Sequence, residues 1–212
     1  MMKIALIGSS GKLGSVIARQ ALDKGIGVKG FQRSANPSDE RIELVRKSLF
    51  DITRGDLADC DAVLSAFGSG FKADPAINCQ AFLKYIELNE GLDRHLVAIG
   101  GAGSLYTDET HTLLSYEAPE HPEFLREISR NIKLGIDELK KTTNVKWTVV
   151  CPSAFFDESG SLTGNYVIGT EGHLLYNSAG KSRVTYPDLA DAMLKIALED
   201  TYQKQVVTVL TV

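Results

Sequence analysis

The chain holds 212 residues, with 23 Lys and Arg against 27 Asp and Glu, for a formal net charge of -4. Its basic side chains are scattered, which argues against nucleic acid as a partner, and no apolar run approaches the ~20 residues of a membrane span. Cys60, Cys79 and Cys151 are odd in number and lack C-x-x-C spacing, so neither a zinc site nor a disulfide framework is expected, and a cytoplasmic setting fits.

Length predicts one domain over residues 1–212, able to bury roughly 70% of the surface of its unfolded chain. Lys3-Ile4-Ala5-Leu6-Ile7 is an apolar run without alternation, the pattern of a strand covered on both faces. After Gly14 the apolar residues recur at helical spacing instead. Between the two lies Gly8-Ser9-Ser10-Gly11-Lys12-Leu13-Gly14, a G-x-x-G-x-x-G turn. Gly8 permits the sharp turn, Gly11 lets a phosphate approach backbone N–H groups, and Gly14 lets the helix pack closely. A dinucleotide diphosphate is expected at the helix N-terminus, held by Gly8, Ser10, Gly11, Lys12, Leu13 and Gly14.

Gly25-Ile26-Gly27 ends the helix, and Val28-Lys29-Gly30-Phe31-Gln32-Arg33 reads as a second strand. A carboxylate near its end would bind the ribose 2′-OH of NAD; Arg33 and Ser34 stand there instead, and Arg33 suits the 2′-phosphate of NADP. The bland alternative is a solvated arginine and NAD as cofactor. Asn36-Pro37 predicts a cap and first turn for a short helix through Arg46, with Ser48-Leu49-Phe50 as a third strand. Residues 61–68 form a fourth strand running into a glycine turn. In a doubly wound sheet Ala66, Phe67 and Gly68 then line the crevice at the strand ends.

Asp74-Pro75 opens a long helix whose Ile77, Ala81, Tyr85, Leu88 and Leu92 form a core stripe. Leu96-Val97-Ala98-Ile99 is a fifth strand, and the segment 100–106 leaves it at the same edge with Gly101, Ser104 and Tyr106. Residues 107–122 read as a long loop over the crevice; its His111 and His121 match no metal-ligand spacing. A helix over 123–141 precedes a sixth strand at 147–151. Pro152-Ser153-Ala154-Phe155-Phe156 then borders the nicotinamide end of a cofactor. Residues 157–185 are expected to form a small substrate-side cap, with a hairpin across Gly172 and Tyr166 facing the substrate. Tyr186-Pro187-Asp188 opens a last helix, and Val206-Val207-Thr208-Val209-Leu210 closes the sheet. The whole reads as an α/β, mostly parallel, Rossmann-type fold.

Several motifs recur together: the glycine turn, Ser65-Ala66-Phe67-Gly68, Gly100-Gly101-Ala102-Gly103-Ser104-Leu105, Pro152-Ser153-Ala154-Phe155-Phe156, Thr163-Gly164-Asn165-Tyr166 and Tyr186-Pro187-Asp188-Leu189-Ala190. Their order resembles the NADH-flavin reductase family, a branch of the NmrA-like, atypical short-chain dehydrogenases, across essentially the whole chain. That resemblance implies a nicotinamide cofactor and a hydride acceptor such as FMN, FAD or another flat ring. It also places Asp51 beside the adenine, where a turn-forming carboxylate is the alternative.

The wider superfamily carries a Tyr-x-x-x-Lys pair in which the tyrosine protonates a reduced carbonyl. Here Lys133 is in place but Ser129 occupies the tyrosine position. Ketone chemistry is therefore in doubt, whereas reduction of a flavin needs mainly stacking, with water as proton source. Phe67, Phe155, Phe156 and Tyr166 are candidates for an apolar mouth, and Ser104, Tyr106 and Tyr116 for a proton donor, Ser104 first. The competing reading is a non-catalytic NAD(P)-binding sensor, which the missing tyrosine favours.

Overall fold

Ile4 and Leu6 point to one face of the first strand and Ala5 and Ile7 to the other, and all four are buried. That is why the strand shows no alternation: helices cover it on both sides. The computed structural model describes residues 2–34, 36–170 and 172–212. Strands β1 (Lys3–Ile7), β2 (Gly27–Gln32), β3 (Glu43–Arg46), β4 (Ala62–Ser65), β5 (His95–Ile99), β6 (Trp147–Pro152), β7 (Phe155–Asp157), β8 (Tyr166–Gly169), β9 (Arg183–Thr185) and β10 (Gln205–Thr211) alternate with helices α1 (Lys12–Asp23), α2 (Ala76–Asn89), α3 (Glu123–Lys140) and α4 (Tyr186–Glu199).

The main sheet runs β3-β2-β1-β4-β5-β6-β10-β8. Every neighbouring pair is parallel except β10 with β8. The doubly wound Rossmann-type expectation is therefore met, with the switch point between β1 and β4. One core joins the sheet to α1 and α4 through Ile17, Leu189, Met193 and Ile196; the other joins it to α2 and α3 through Tyr85, Leu88, Ile136 and Leu139. A separate small sheet pairs β7 with β9.

Three local expectations are corrected. Residues 37–46 form no helix: turns lead into β3, whose Leu44 and Val45 pair beside Gly30 and Phe31, and sheet pairing overrides the Asn-Pro start signal. The third strand thus lies at Glu43–Arg46, and Leu49–Asp51 is a single 3-10 turn. The hairpin expected across Gly172 includes residue 171, which lies outside the described residues; among the described residues β8 pairs with β10 and becomes the edge of the main sheet, so β10 does not close it.

Asp188 anchors the segment that follows β7. Buried in the first turn of α4, its carboxylate accepts bonds from the Thr163 amide and hydroxyl, the Gly164 amide and the Thr211 hydroxyl. The Asp188 amide in turn donates to Thr185 Oγ1, which caps the helix. Burial opposes the charge, but the bonds from Thr211 and Thr163 outweigh it and hold this carboxyl below its usual range. A lowered carboxylate contributes stability above its unfolded value of ~3.9 and loses it as pH falls through the folded value. We expect Asp188→Asn to cost about 1–3 kcal/mol at neutral pH and to flatten the acid limb of stability below about pH 4, read by thermal melts across pH.

Candidate functional site

The glycine turn sits where the sheet changes direction. Gly8 has φ +82°. Its amide donates to the Phe31 carbonyl of β2 at 2.9 Å, and a Cβ there would meet the Ala66 carbonyl oxygen, just past β4, at 3.1 Å. A Cβ on Gly14 would stand 2.0 Å from the Gly8 carbonyl oxygen, so the first turn of α1 closes onto the loop that precedes it. Gly11 gives the helix no side-chain cap and spends its own amide on Gly8. Among the described residues, the amides of Ser10, Lys12, Leu13 and Gly14 have no partner in the chain. A ring of free N–H groups at a helix start fits a diphosphate.

On one side of this turn lies the end of β2. Gln32 is buried; it accepts from Ser9 Oγ at 2.7 Å and donates to Ser34 Oγ at 2.9 Å and the Asn36 carbonyl at 2.7 Å. It thereby fixes the glycine turn to the segment that carries Arg33. Sheet register pairs Gln32 with Arg46 at the end of β3. Arg33, Arg46, Lys47, Ser48 and Asp51 line an open cleft of about 490 Å³. Lys47 is bound to Asp56, and Asp51 accepts from Ser48 Oγ at 2.6 Å. Among the described residues no carboxylate pairs with Arg33 or Arg46. Phe67 meets Phe50 edge-on, with ring centroids 6.3 Å apart, and the two form an apolar wall near Asp51.

On the other side, Gly100 and Gly101 leave β5 tight against β6 and α3: a Cβ on Gly100 would meet Cys151 Sγ at 2.5 Å and one on Gly101 would meet Ile132 Cδ1 at 3.1 Å. Ser104 does not point into the crevice as a donor. It is buried, and its hydroxyl donates to the Gly101 carbonyl at 2.7 Å, bracing the turn that carries it. Lys133 places its ammonium 2.7 Å from both carboxylate oxygens of Asp137, one helical turn farther from the strand ends. Ser129 is buried; its Oγ lies 3.2 Å from His121 Nε2. A Cβ on Gly103 would fall 2.2 Å from Ser129 Oγ and 2.8 Å from His121 Cε1. The place of the superfamily's tyrosine is therefore sealed. Burial, reinforced by Arg126, pushes the His121 imidazole below its usual value.

The remaining expected residues divide. Pro152 ends β6 in register with Val209, and Ser153 is buried with its hydroxyl donated to the Val209 carbonyl, so that side chain is structural. Phe155 projects into solvent, whereas Phe156 stacks on Tyr186 with centroids 3.8 Å apart. Tyr166 is turned away from the strand ends: its hydroxyl donates to Asp191 of α4 at 2.7 Å and Lys195 lies over its ring. Tyr106 stacks on His111 at 4.7 Å and exchanges backbone bonds with residues 172–174. Gly68 is exposed with open space around it. Lys12 reaches across the glycine turn to Glu158, with Nζ 2.5 Å from Oε2.

The family model described as NAD(P)H-binding matches residues 8–200, from the first glycine of the turn to the end of α4. The chain belongs to the NAD(P)H-binding family. This NAD(P)H-binding chain is 33% identical over 195 residues to the uncharacterized protein YwnB of Bacillus subtilis (strain 168), covering 91% of each. It is similar to a solved structure from Streptococcus pneumoniae named "putative NADH-flavin reductase", at TM-score 0.92 and 30% identity over all of both chains. A structure from Lactobacillus casei shares the fold at TM-score 0.89, 23% identity and 99% coverage of each chain.

Sequence reasoning about this NAD(P)H-binding chain missed Arg46, Phe50, Gln32, His121 and Glu158. The first two follow from the misplaced third strand; a correct register would have put Arg46 beside the end of β2.

Two outcomes check the geometry. Gly14→Ala is expected to lower the melting temperature and weaken dinucleotide binding by at least about tenfold, because the clash is with backbone, whereas Gly68→Ala melts like the parent. Ser129→Tyr is expected to destabilise by about 1–3 kcal/mol and to gain no ketone reductase activity, assayed with a panel of small ketones.

Proposed function

We propose that the protein is an NADPH-preferring reductase that passes hydride to a flat aromatic acceptor such as FMN or FAD. The observation that carries this reading is the sealed position of Ser129, beneath Gly103 and beside His121. Ser104 and Lys133 are also engaged within the chain, so neither hydroxyl nor ammonium is free to serve a carbonyl oxygen. An acceptor that draws its proton from water suits such a site, and the name of the Streptococcus pneumoniae relative, at 30% identity, points the same way. When bound, the dihydronicotinamide supplies two electrons and a hydrogen from C4 to the acceptor, and water supplies the balancing proton.

The chain's own part is to hold and orient. Free amides at Ser10, Lys12, Leu13 and Gly14 receive the diphosphate, and Phe50 and Phe67 flank the adenine side. Arg33 and Arg46, both exposed and without carboxylate partners among the described residues, favour a 2′-phosphate over a bare ribose hydroxyl. A sensor that binds the cofactor without turnover is the competing reading, and the internal engagement of Ser104 and Lys133 is what supports it.

Stopped-flow oxidation of NADPH with FMN, FAD and quinones separates the two. Turnover with a flavin is expected; tight NADPH binding with no turnover on any acceptor would establish the sensor instead. Arg33→Ala and Arg46→Ala are each expected to weaken NADPH about tenfold to a hundredfold and leave NADH within about twofold, measured by calorimetry. Equal effects on both dinucleotides would refute the 2′-phosphate assignment.

A further inference from the structure

Lys12 is the only charged side chain between Gly8 and Gly14, and it is the first residue of α1. Its ammonium is already engaged: Nζ lies 2.5 Å from Oε2 of Glu158, 146 residues away in the chain. The one cation of the turn is thus neutralised from within the protein. It stands beside a helix start whose dipole favours negative charge and where, among the described residues, four amides lack acceptors.

Three contacts deliver Glu158 to that place. Strand β7 runs parallel to β9, and the Phe155 amide donates to the Ser182 carbonyl at 2.9 Å. Phe156 stacks on Tyr186, the first residue of α4, and α4 shares one core with α1. Asp157 is buried; its carboxylate accepts from the Arg183 guanidinium and from the Ser159 amide and hydroxyl, which turns the chain directly after β7. Glu158 therefore reaches α1 from a stem that is held on both sides. The two side chains of the pair are 73% and 55% exposed, so the contact opens by side-chain rotation alone.

An exposed pair of this kind is weak and easily exchanged for a better one. A diphosphate seated on the amides of Ser10, Lys12, Leu13 and Gly14 brings two negative charges into reach of the same ammonium. It gains the amides as well, whereas the carboxylate has only the ammonium. Like charges repel at that range, so the ligand and Glu158 compete for Lys12.

We propose that Glu158 sets the affinity of the dinucleotide site as an internal competitor, holding Lys12 until a diphosphate displaces it. This rests on the diphosphate placement given above and is independent of which acceptor is reduced.

The test measures Kd by calorimetry for NADPH, NADH and ADP-ribose, which keeps the diphosphate and lacks the nicotinamide. The full chain is compared with Glu158→Gln, Lys12→Gln, the double variant and Glu127→Gln, an exposed carboxylate of α3 that controls for net charge. Glu158→Gln is expected to tighten all three ligands alike by about threefold to tenfold, with the gain shrinking at high salt. Lys12→Gln is expected to weaken them, and in that background the further change at Glu158 to move Kd by less than about twofold. Glu127→Gln is expected to keep the parental values. Melting temperatures report folding, and substitutions at these exposed positions are expected to leave them unchanged. If the parent binds and Glu158→Gln keeps its Kd, the competition is refuted and the diphosphate placement stands. Weaker binding by Glu158→Gln would mean that this carboxylate closes over the bound dinucleotide, which also refutes the proposal. Tightening of NADPH and NADH without ADP-ribose would put Glu158 at the nicotinamide end instead, and equal tightening by Glu127→Gln would reduce the effect to bulk charge; either result overturns it. If the parent binds none of the three, the diphosphate placement falls together with the proposal.

Discussion

The structure depends on one close approach. The Gly8 carbonyl occupies the space that any Cβ on residue 14 would take, 2.0 Å from it, so α1 can begin only where both positions are glycine. Because Gly8 is also bonded to the end of β2 and pressed against Ala66 beyond β4, that contact fixes the helix start at the switch point of the sheet. Four amides are left without acceptors there, and an electropositive helix end faces the crevice.

What lies on either side of that turn differs in kind. Toward β2 and β3 the ends of strands carry guanidinium groups and an edge-on aromatic pair, held in place by the buried Gln32 network. Toward β5 and β6 the serine hydroxyls are turned inward: Ser104, Ser129 and Ser153 each bond within the chain. A crevice built this way offers free amides and guanidinium groups at one end and buried, internally bonded serines at the other. The exposed ring of Phe155 is tolerable there because the cores on both faces of the sheet supply the stability.

The strands covered on both faces were legible because a short uninterrupted apolar run has few other fates in an α/β fold, and β1, β5 and β6 all read correctly. Strand β3 did not, since it lies at a sheet edge with charged Glu43 and Arg46 at its ends, and the Asn-Pro before it imitates a helix start. The turn between β1 and α1 was visible as three glycines, but which glycine met which atom was not. The absence of the tyrosine was equally visible. Its sealing was not, because Gly103 and His121 approach Ser129 from separate parts of the chain. The partner of Tyr166 was hidden for the same reason: only the packing of β8 against α4 shows that its hydroxyl donates to Asp191. The pairing of Lys133 with Asp137, by contrast, is an i,i+4 spacing that the sequence itself displays.

The most direct test is to follow backbone amide resonances while NADPH is titrated into the protein. The amides of Ser10, Lys12, Leu13 and Gly14 are expected to shift most and to gain protection from exchange, with Gly11, already bonded to Gly8, responding less. Saturation by NADPH with those four amides unmoved would contradict the placement of the diphosphate, and with it the site built around the turn.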